Sequence, residues 1–190
     1  MKGIFCTESY DNCGALFESV PEWSEFMHLL FLCLKSPAHA YIMADSKNQF
    51  EMQRTALDAG FKFHNLLYWD KGACTPNRWY MKNAEYIGFF FKGKAFPIND
   101  CGSRQGLYVP HTDETAHPTE KPAQLMRLLM ENSTHPGQVV IDPFMGSGST
   151  GVAALRSGRK FIGIEKDPKW FDVSRRRIEN ALIGQTINML

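Results

Sequence analysis

The sequence predicts an α/β fold: a mostly parallel sheet with helices on both faces. Three observations carry this. Short apolar strands alternate with helical periodicity along nearly the whole chain, as crossover connections between parallel strands require. The stretch "IDPFMGSGSTG" (141–151) ends a strand in an acid and runs through a glycine-rich turn into a helix. The 190 residues, 44% of them apolar, suffice for one domain with its own core.

Taken in order, "GIFC" (3–6) is a short strand. Residues 22–35 set Trp23, Phe26, Met27, Leu30 and Leu34 on one helical face. "HAYIMA" (39–44) is a strand. The helix over 47–59 takes Ser46 as its cap, with Gln49 three residues on, and stops at Gly60. "FKFHNLLYW" (61–69) and "EYIGFFFKG" (85–93) are strands, and 94–118 is irregular. A helix over 122–133 carries Pro122 in its first turn. "QVVID" (138–142) is a buried strand, 149–157 a helix and "KFIGIE" (160–165) a strand. The last helix is capped by Asp167, opens at Pro168 and buries Phe171, Ser174, Ile178 and Ala181. No repeat or linker interrupts the order, so the chain reads as a single domain over 1–190.

Composition excludes some classes. A membrane-spanning helix needs roughly 20 apolar residues, and "MHLLFLCL" (27–34) is far shorter. The N-terminus lacks a signal-peptide layout. Cys6, Cys13, Cys33, Cys74 and Cys101 are odd in number and form no C-x-x-C pair. They read as reduced thiols of a cytoplasmic protein, with neither a disulfide frame nor a metal site. A net charge of +1 neither demands nor excludes a nucleic-acid partner.

The loop over 141–151 holds Gly146, Gly148 and Gly151 in G-x-G-x-x-G spacing. Glycines permit a sharp turn and close ligand approach, and the helix start offers N–H groups. Glu165 ends the next strand, where an acid accepts from ribose hydroxyls. Asp142 precedes the loop and would repel a dinucleotide's pyrophosphate. A carboxylate there suits a ligand carrying an ammonium group. S-adenosylmethionine has a ribose, an amine and no phosphate, and fits better than NAD.

These residues bring out a family resemblance. "DPFMGSGSTG" followed by "GRKFIGIE" resembles the cofactor motif of DNA amino-methyltransferases of the permuted, β-type order. "HPTEKP" (117–122), "GFKFHNLLYWDKG" (60–72) and "EYIGFFFKGK" (85–94) resemble that family's further segments, in consistent order. The resemblance implies a circularly permuted Rossmann-like S-adenosylmethionine methyltransferase fold. It implies a catalytic half (1–93), a short target-recognition insertion (94–118) and a cofactor half (119–190). It implies transfer of a methyl group to the 6-amino group of adenine, or less readily the 4-amino group of cytosine, in double-stranded DNA. The setting would be restriction–modification in a bacterial or phage system. Asp142, Phe144, Gly146, Ser147, Gly148, Ser149 and Thr150 would line the methionine and ribose part of the cofactor. Glu165 would take the ribose hydroxyls, and Lys166 would lie near the adenine. Thr119 and Lys121 would sit near the cofactor carboxylate, unless Lys121 is a solvated helix-start lysine.

The catalytic segment departs from the pattern. The family carries Asp-Pro-Pro-Tyr or a close variant after its first strand, and here "TESY" (7–10) follows "GIFC". Glu8 and Ser9 stand where an acid or the prolines belong, and Tyr10 matches the aromatic that stacks on a flipped base. The prolines fix a stiff backbone, so their loss loosens the site. A Gly-Asp-Cys-like stretch upstream of the first strand also has no counterpart here. Three readings fit: a degenerate cofactor-, DNA- or partner-binding member, an incomplete chain of an active enzyme, and an active variant using Glu8, Ser9 and Tyr10.

For DNA contact, Lys71, Arg78, Trp79 and Lys82 in "KGACTPNRWYMKN" (71–83) mix basic and aromatic side chains, as phosphate contact with base stacking requires. Arg104 adds a base within 94–118, alongside His111, His117, Phe96 and Tyr108. "SRRR" (174–177) reads as a solvated helix face. So small a reader suits short target sites or a homodimer.

Overall fold

The computed structural model describes residues 22–75, 80–111, 117 and 119–187, except for the side chains of 73–75 and 184–187. The expected strand over 3–6 lies outside them. The element order is α1 (Trp23–Cys33), β1 (Ala38–Ala44), α2 (Gln49–Asp58), β2 (Lys62–Thr75), β3 (Lys82–Lys92), β4 (Gly106–Tyr108), α3 (Ala123–Ser133), β5 (Val139–Asp142), α4 (Ser149–Arg156), β6 (Lys160–Gly163) and α5 (Pro168–Ile187). The chain forms two units. One holds the residues up to Pro97 together with Gly102–Tyr108, and the other holds Ile98–Cys101 and the residues from Val109 on. Segment 94–118 is thus shared between the units.

In the first unit, α1 opens at Glu22, whose backbone N–H donates to Glu25 Oε2 at 3.1 Å in a capping box. Lys92 of β3 holds the other end: its Nζ donates to the Phe31 and Leu34 carbonyls, each at 2.7 Å. That ammonium also lies 4.4 Å over the Phe31 ring. The start of α2 corrects the sequence expectation. Asp45, not Ser46, makes the side-chain bonds, its Oδ1 accepting from Lys47 N at 3.0 Å and Asn48 N at 2.8 Å. The carboxylate one residue earlier reaches the same orphan donors, and Asn48 becomes the N-cap without a side-chain bond of its own.

Trp23 and Met27 of α1 meet Met52 and Ala56 of α2 over Ala40, Ile42 and Ala44 of β1 and Phe90 of β3. The β1 residues alternate, so they share one sheet face, and Ala40 pairs with Phe90 in register. Both helices therefore pack on one face. On the other, the His39 ring stacks on Phe96 at 3.8 Å and meets Phe89 edge-on at 4.9 Å.

The strand order is β1-β3-β2-β4. β3 is antiparallel to β1 and to β2, and β4 is parallel to β2. β1, β2 and β4 thus share a direction that β3 alone opposes. The cause is connection length: six residues, 76–81, separate β2 from β3, whereas a parallel crossover needs about a dozen.

In the second unit β5 and β6 pair in parallel, Val139 with Lys160 through Asp142 with Gly163. Helices α3 and α4 share a small core of Met130, Ala153 and Ala154. Asn99 ties the 98–101 segment to the end of α3, its Nδ2 donating to Glu131 O at 2.7 Å and Thr134 O at 3.0 Å. Arg159 closes the other side of that helix end, donating through Nη2 to Thr134 O at 2.7 Å. Asp167 caps α5 as expected, its Oδ1 accepting from Lys169 N at 2.8 Å. The buried face of α5 differs from the expected one. Ser174 and Ala181 are buried, but Phe171 is 42% exposed and Trp170 is buried in its place. Trp170 meets the His117 ring edge-on at 4.3 Å, so the buried stripe begins at Trp170 and continues through Ser174 and Ala181.

Phe90 is fully buried between Phe61 and Phe63. Phe90→Ala is expected to destabilise the protein by about 3–5 kcal/mol. Urea unfolding followed by circular dichroism checks this, and an unchanged midpoint would show that the cluster is not the core of this unit.

Candidate functional site

Parallel strands open crevices beyond their carboxyl ends, and ligands of open α/β sheets bind there. β5 and β6 bring Asp142 and the 163–165 segment to one such edge. Ile164 N donates to Asp142 O, and Met145 N returns to Ile164 O, both at 3.0 Å, so the ladder runs one residue past β6. Glu165 follows, beyond the strand rather than in it.

The loop then turns tightly. Gly148 N donates to Met145 O at 2.7 Å. Gly148 is the N-cap of α4 in the left-handed region, at φ +84°, which favours glycine. Gly151 answers a packing demand instead: a Cβ there would stand 2.5 Å from Ile178 Cδ1. The loop and α4 are therefore pressed against α5.

Two carboxylates face this turn. Glu165 accepts from Gly146 N through Oε2 and from Asp167 N through Oε1, both at 2.9 Å. Asp142 accepts from Phe144 N at 3.0 Å and from Thr150 Oγ1 at 2.6 Å. Burial pushes the Asp142 carboxyl above the usual carboxylate range, the two hydrogen bonds oppose this, and the nearby Glu165 charge adds to the rise. Among the described residues neither acid has a salt-bridge partner; their bonds come from neutral N–H and O–H groups. Each retains lone pairs for a ligand. Two adjacent acids with no cation suit a ligand that brings positive charge and hydroxyls, and repel one that brings phosphate.

The 117–122 segment packs beside the loop. His117 is buried, its Nδ1 accepting from Thr119 N at 3.3 Å. Desolvation holds its pKa below 6.5, against the raising effect of Glu165. This histidine lies in the second unit, against Trp170 of α5. Lys121 is 9% exposed and donates from Nζ to Thr119 O at 3.2 Å. It is not a solvated helix-start lysine.

Arg177 joins these parts. Its Nη1 lies 2.7 Å from Glu120 Oε1, as an ion pair rather than an aligned hydrogen bond, and the Glu120 side chain is only 1% exposed. The same nitrogen donates toward Ser147 O at 3.2 Å, Ser147 Oγ at 3.3 Å and Ser149 Oγ at 3.2 Å. The solvated-face reading of 174–177 holds for the exposed Arg175 and Arg176 and fails for Ser174 and Arg177. The missed signal was spacing, since Arg177 falls three residues after Ser174 on one helical face. Glu120 was visible only as part of "HPTEKP".

The structure thus gathers Asp142, Phe144, Gly146, Ser147, Gly148, Ser149, Thr150, Glu165, Thr119 and Lys121 within one unit. The hydroxyls of Ser147 and Ser149 face each other at 3.4 Å and face Arg177. Lys166 is exposed.

Comparison with known proteins accords with this arrangement. The DNA methylase family model (N6/N4 type) matches residues 8–176. The chain belongs to the N6/N4 DNA methylase family. It is 27% identical over 184 residues to the type II methyltransferase M2.DpnII of Streptococcus pneumoniae, covering 86% of this chain and 69% of that one. To M2.MboI of Moraxella bovis it is 27% identical over 186 residues, with 88% and 67% covered. The crystal structure of an M1.HpyAVI–SAM complex superposes with a TM-score of 0.75 at 23% identity, with 83% of each chain covered. That likeness makes the fold that of the family: α/β, with a mixed sheet.

The methylase's other expected site residues fall in the first unit or outside the described residues. Glu8, Ser9 and Tyr10 lie outside the described residues, as do Arg78 and Trp79. Lys71 turns inward, its Nζ 3.4 Å from Glu85 Oε1 and 5.9 Å over the Trp69 ring. Lys82 and Arg104 are exposed, and Tyr108 is 69% exposed. Phe96 is spent on His39. Among the described residues no cluster of three or more His, Cys, Asp or Glu is placed to hold a metal ion, and no helix is long and apolar enough to cross a membrane.

His117 makes stability pH-dependent. The fold favours its neutral ring, so the unfolded chain binds more protons between the lowered folded pKa and 6.5. Stability rises with pH through that window and is lost as pH falls through it. His39, also lowered by burial, acts in the same sense. His117→Gln is expected to flatten the fall in melting temperature between about pH 6.5 and 5, leaving the His39 share. An unaltered pH profile would show that His117 titrates as it does in the unfolded chain.

Proposed function

We propose that this chain is an S-adenosylmethionine-dependent DNA amino-methyltransferase acting on an exocyclic amine of adenine, or of cytosine, in double-stranded DNA. The observation that carries the reading is the pair of acids, Asp142 and Glu165, at the carboxyl ends of adjacent parallel strands with no cation between them among the described residues. The solved SAM complex of M1.HpyAVI, a chain of the same fold, supports the same ligand class.

S-adenosylmethionine, when bound, supplies a methyl group on a positively charged sulfur. Asp142 would accept from its ammonium, and Glu165, beyond its bonds to Gly146 and Asp167, would accept from the ribose hydroxyls. Thr119 and Lys121 would stand near its carboxylate, Phe144 and the backbone of 146–150 along its methionine and ribose part, and Lys166 near its adenine. Glu8, Ser9 and Tyr10 would orient the flipped base, and Lys71, Arg78, Trp79, Lys82 and Arg104 would contact DNA. The chemistry the cofactor would supply is transfer of that methyl from sulfur to the base nitrogen, whose proton would leave to solvent. The protein's part is positioning and water exclusion. Segment 94–118 would serve as the short reader, and a homodimer would extend it.

One observation favours a second reading. "TESY" lacks both prolines of the family's catalytic segment, which favours a chain that binds cofactor or DNA without turnover. Labelled S-adenosylmethionine with unmethylated mixed-sequence DNA separates the two. Sustained incorporation recovered as N6-methyladenine or N4-methylcytosine supports the first. Cofactor binding without incorporation supports the second. Tight NAD binding with no S-adenosylmethionine binding overturns both.

Asp142→Asn keeps the shape of the side chain and removes its charge. The folded carboxyl holds its proton to higher pH than the unfolded one, so its contribution to stability falls as pH rises from 3.8 through the raised value. At pH 7 the variant is expected to melt higher than the parent yet bind S-adenosylmethionine at least about tenfold more weakly, as losing a hydrogen bond to a charged group implies. Calorimetry checks both. Unchanged affinity would place the ammonium site elsewhere.

A further inference from the structure

We propose that Arg177 is a positioning residue for the cofactor loop, setting the 147–149 crook through one guanidinium nitrogen shared between Glu120 and the two serines. The inference rests on the cofactor site proposed above and adds a residue from the last helix to it.

Three observations converge on this side chain. It is 16% exposed and sits against a carboxylate that is 1% exposed, so two charges are withdrawn from water together. Its Nη1 also reaches Ser147 O, Ser147 Oγ and Ser149 Oγ. Those residues flank Gly148, whose left-handed backbone begins α4. Glycine's conformational freedom must be lost for the turn to hold one shape, and the Gly148 N–H bond to Met145 O and the Gly146 N–H bond to Glu165 hold only its backbone. Arg177 supplies a further constraint from outside the loop. Glu120 in turn belongs to the 117–122 segment, and its N–H donates to His117 O at 3.2 Å. One guanidinium therefore links α5, the loop and the segment carrying Thr119 and Lys121.

These contacts all fall on one nitrogen, Nη1, which the planar guanidinium holds in a fixed direction and carries one bond farther from the backbone than a lysine ammonium reaches. An ammonium is a single point charge. Arg177→Lys should therefore keep the Glu120 pairing and lose the serine contacts, whereas Arg177→Met leaves Glu120 buried without that charge. If Arg177 only stabilised the fold, stability and ligand affinity would recover together in the lysine variant.

The test measures three properties of the parent, Arg177→Lys and Arg177→Met in the full chain, below their melting temperatures. These are melting temperature, S-adenosylmethionine affinity by calorimetry, and amide hydrogen exchange over 146–150 without ligand. The lysine variant should melt near the parent, bind S-adenosylmethionine at least tenfold more weakly, and exchange its loop amides at least tenfold faster while 52–56 in α2 stays unchanged. Parent-like affinity and exchange in both variants would overturn the proposal. So would recovery of affinity in step with stability in the lysine variant. If the parent itself fails to bind S-adenosylmethionine, the proposed cofactor falls, and loop exchange alone still decides whether Arg177 sets the loop.

Discussion

The Glu165 carboxylate is the joint on which the second unit turns. One oxygen takes the Gly146 N–H and the other the Asp167 N–H, so a single side chain joins the glycine loop, the end of β6 and the start of α5. Each bond is charge-assisted and stronger than a neutral one. Remove the carboxylate, and the loop is left with the Met145 N–H bond to Ile164 O on this edge while α5 loses part of its launch. The same group stands where the proposed ligand's ribose would lie. In the proposed site, holding the loop and receiving a ligand would be two uses of one acid, possible because a carboxylate has more lone pairs than the loop needs.

Around that joint the protein keeps titratable groups where burial disfavours their charged forms. Asp142 sits in a setting that raises its pKa, and His117 in one that lowers its own. Both shifts work against the charged form, and both side chains adjoin the loop. A core built for stability alone would not retain an acid there, since perturbed titrating groups concentrate at functional sites. Arg177 and Glu120 differ because they enter the interior as a pair. Such a pair contributes geometry more than stability, as desolvation offsets much of the attraction.

Much of this was legible in the sequence, and the gaps have physical causes. Asp142, the glycine loop and Glu165 are contiguous or nearly so, and local pattern reports local geometry. The caps show the limit of that. Asp167 was read correctly because Pro168 pins the helix start, whereas at α2 Asp45 and Ser46 compete for the same donors and only backbone geometry decides. The reversed direction of β3 could be inferred from the short 76–81 connection, yet strand–helix rhythm alone does not report it. Arg177 was missed for a different reason. A charged triplet on a helix has one average meaning, solvation, while its three members point in three directions 100° apart. The two that face water confirm the average, and the one that faces inward joins the site.

The position of the glycine loop late in the chain follows from the same locality. Asp142, the loop, α4, β6, Glu165 and α5 form one uninterrupted run, and Glu120, His117 and Lys121 lie just upstream of it. Every bond described at this site closes within that stretch of chain. A fold whose cofactor site is so contained tolerates a change in where the polypeptide begins, because relocating the ends outside the run breaks none of its contacts. Circular permutation then costs the cofactor half nothing. The proposed catalytic residues 8–10 lie outside that run, so a change in their sequence such as "TESY" leaves the bonds of the loop as they are. An intact cofactor loop is therefore compatible with a sequence change elsewhere in the chain.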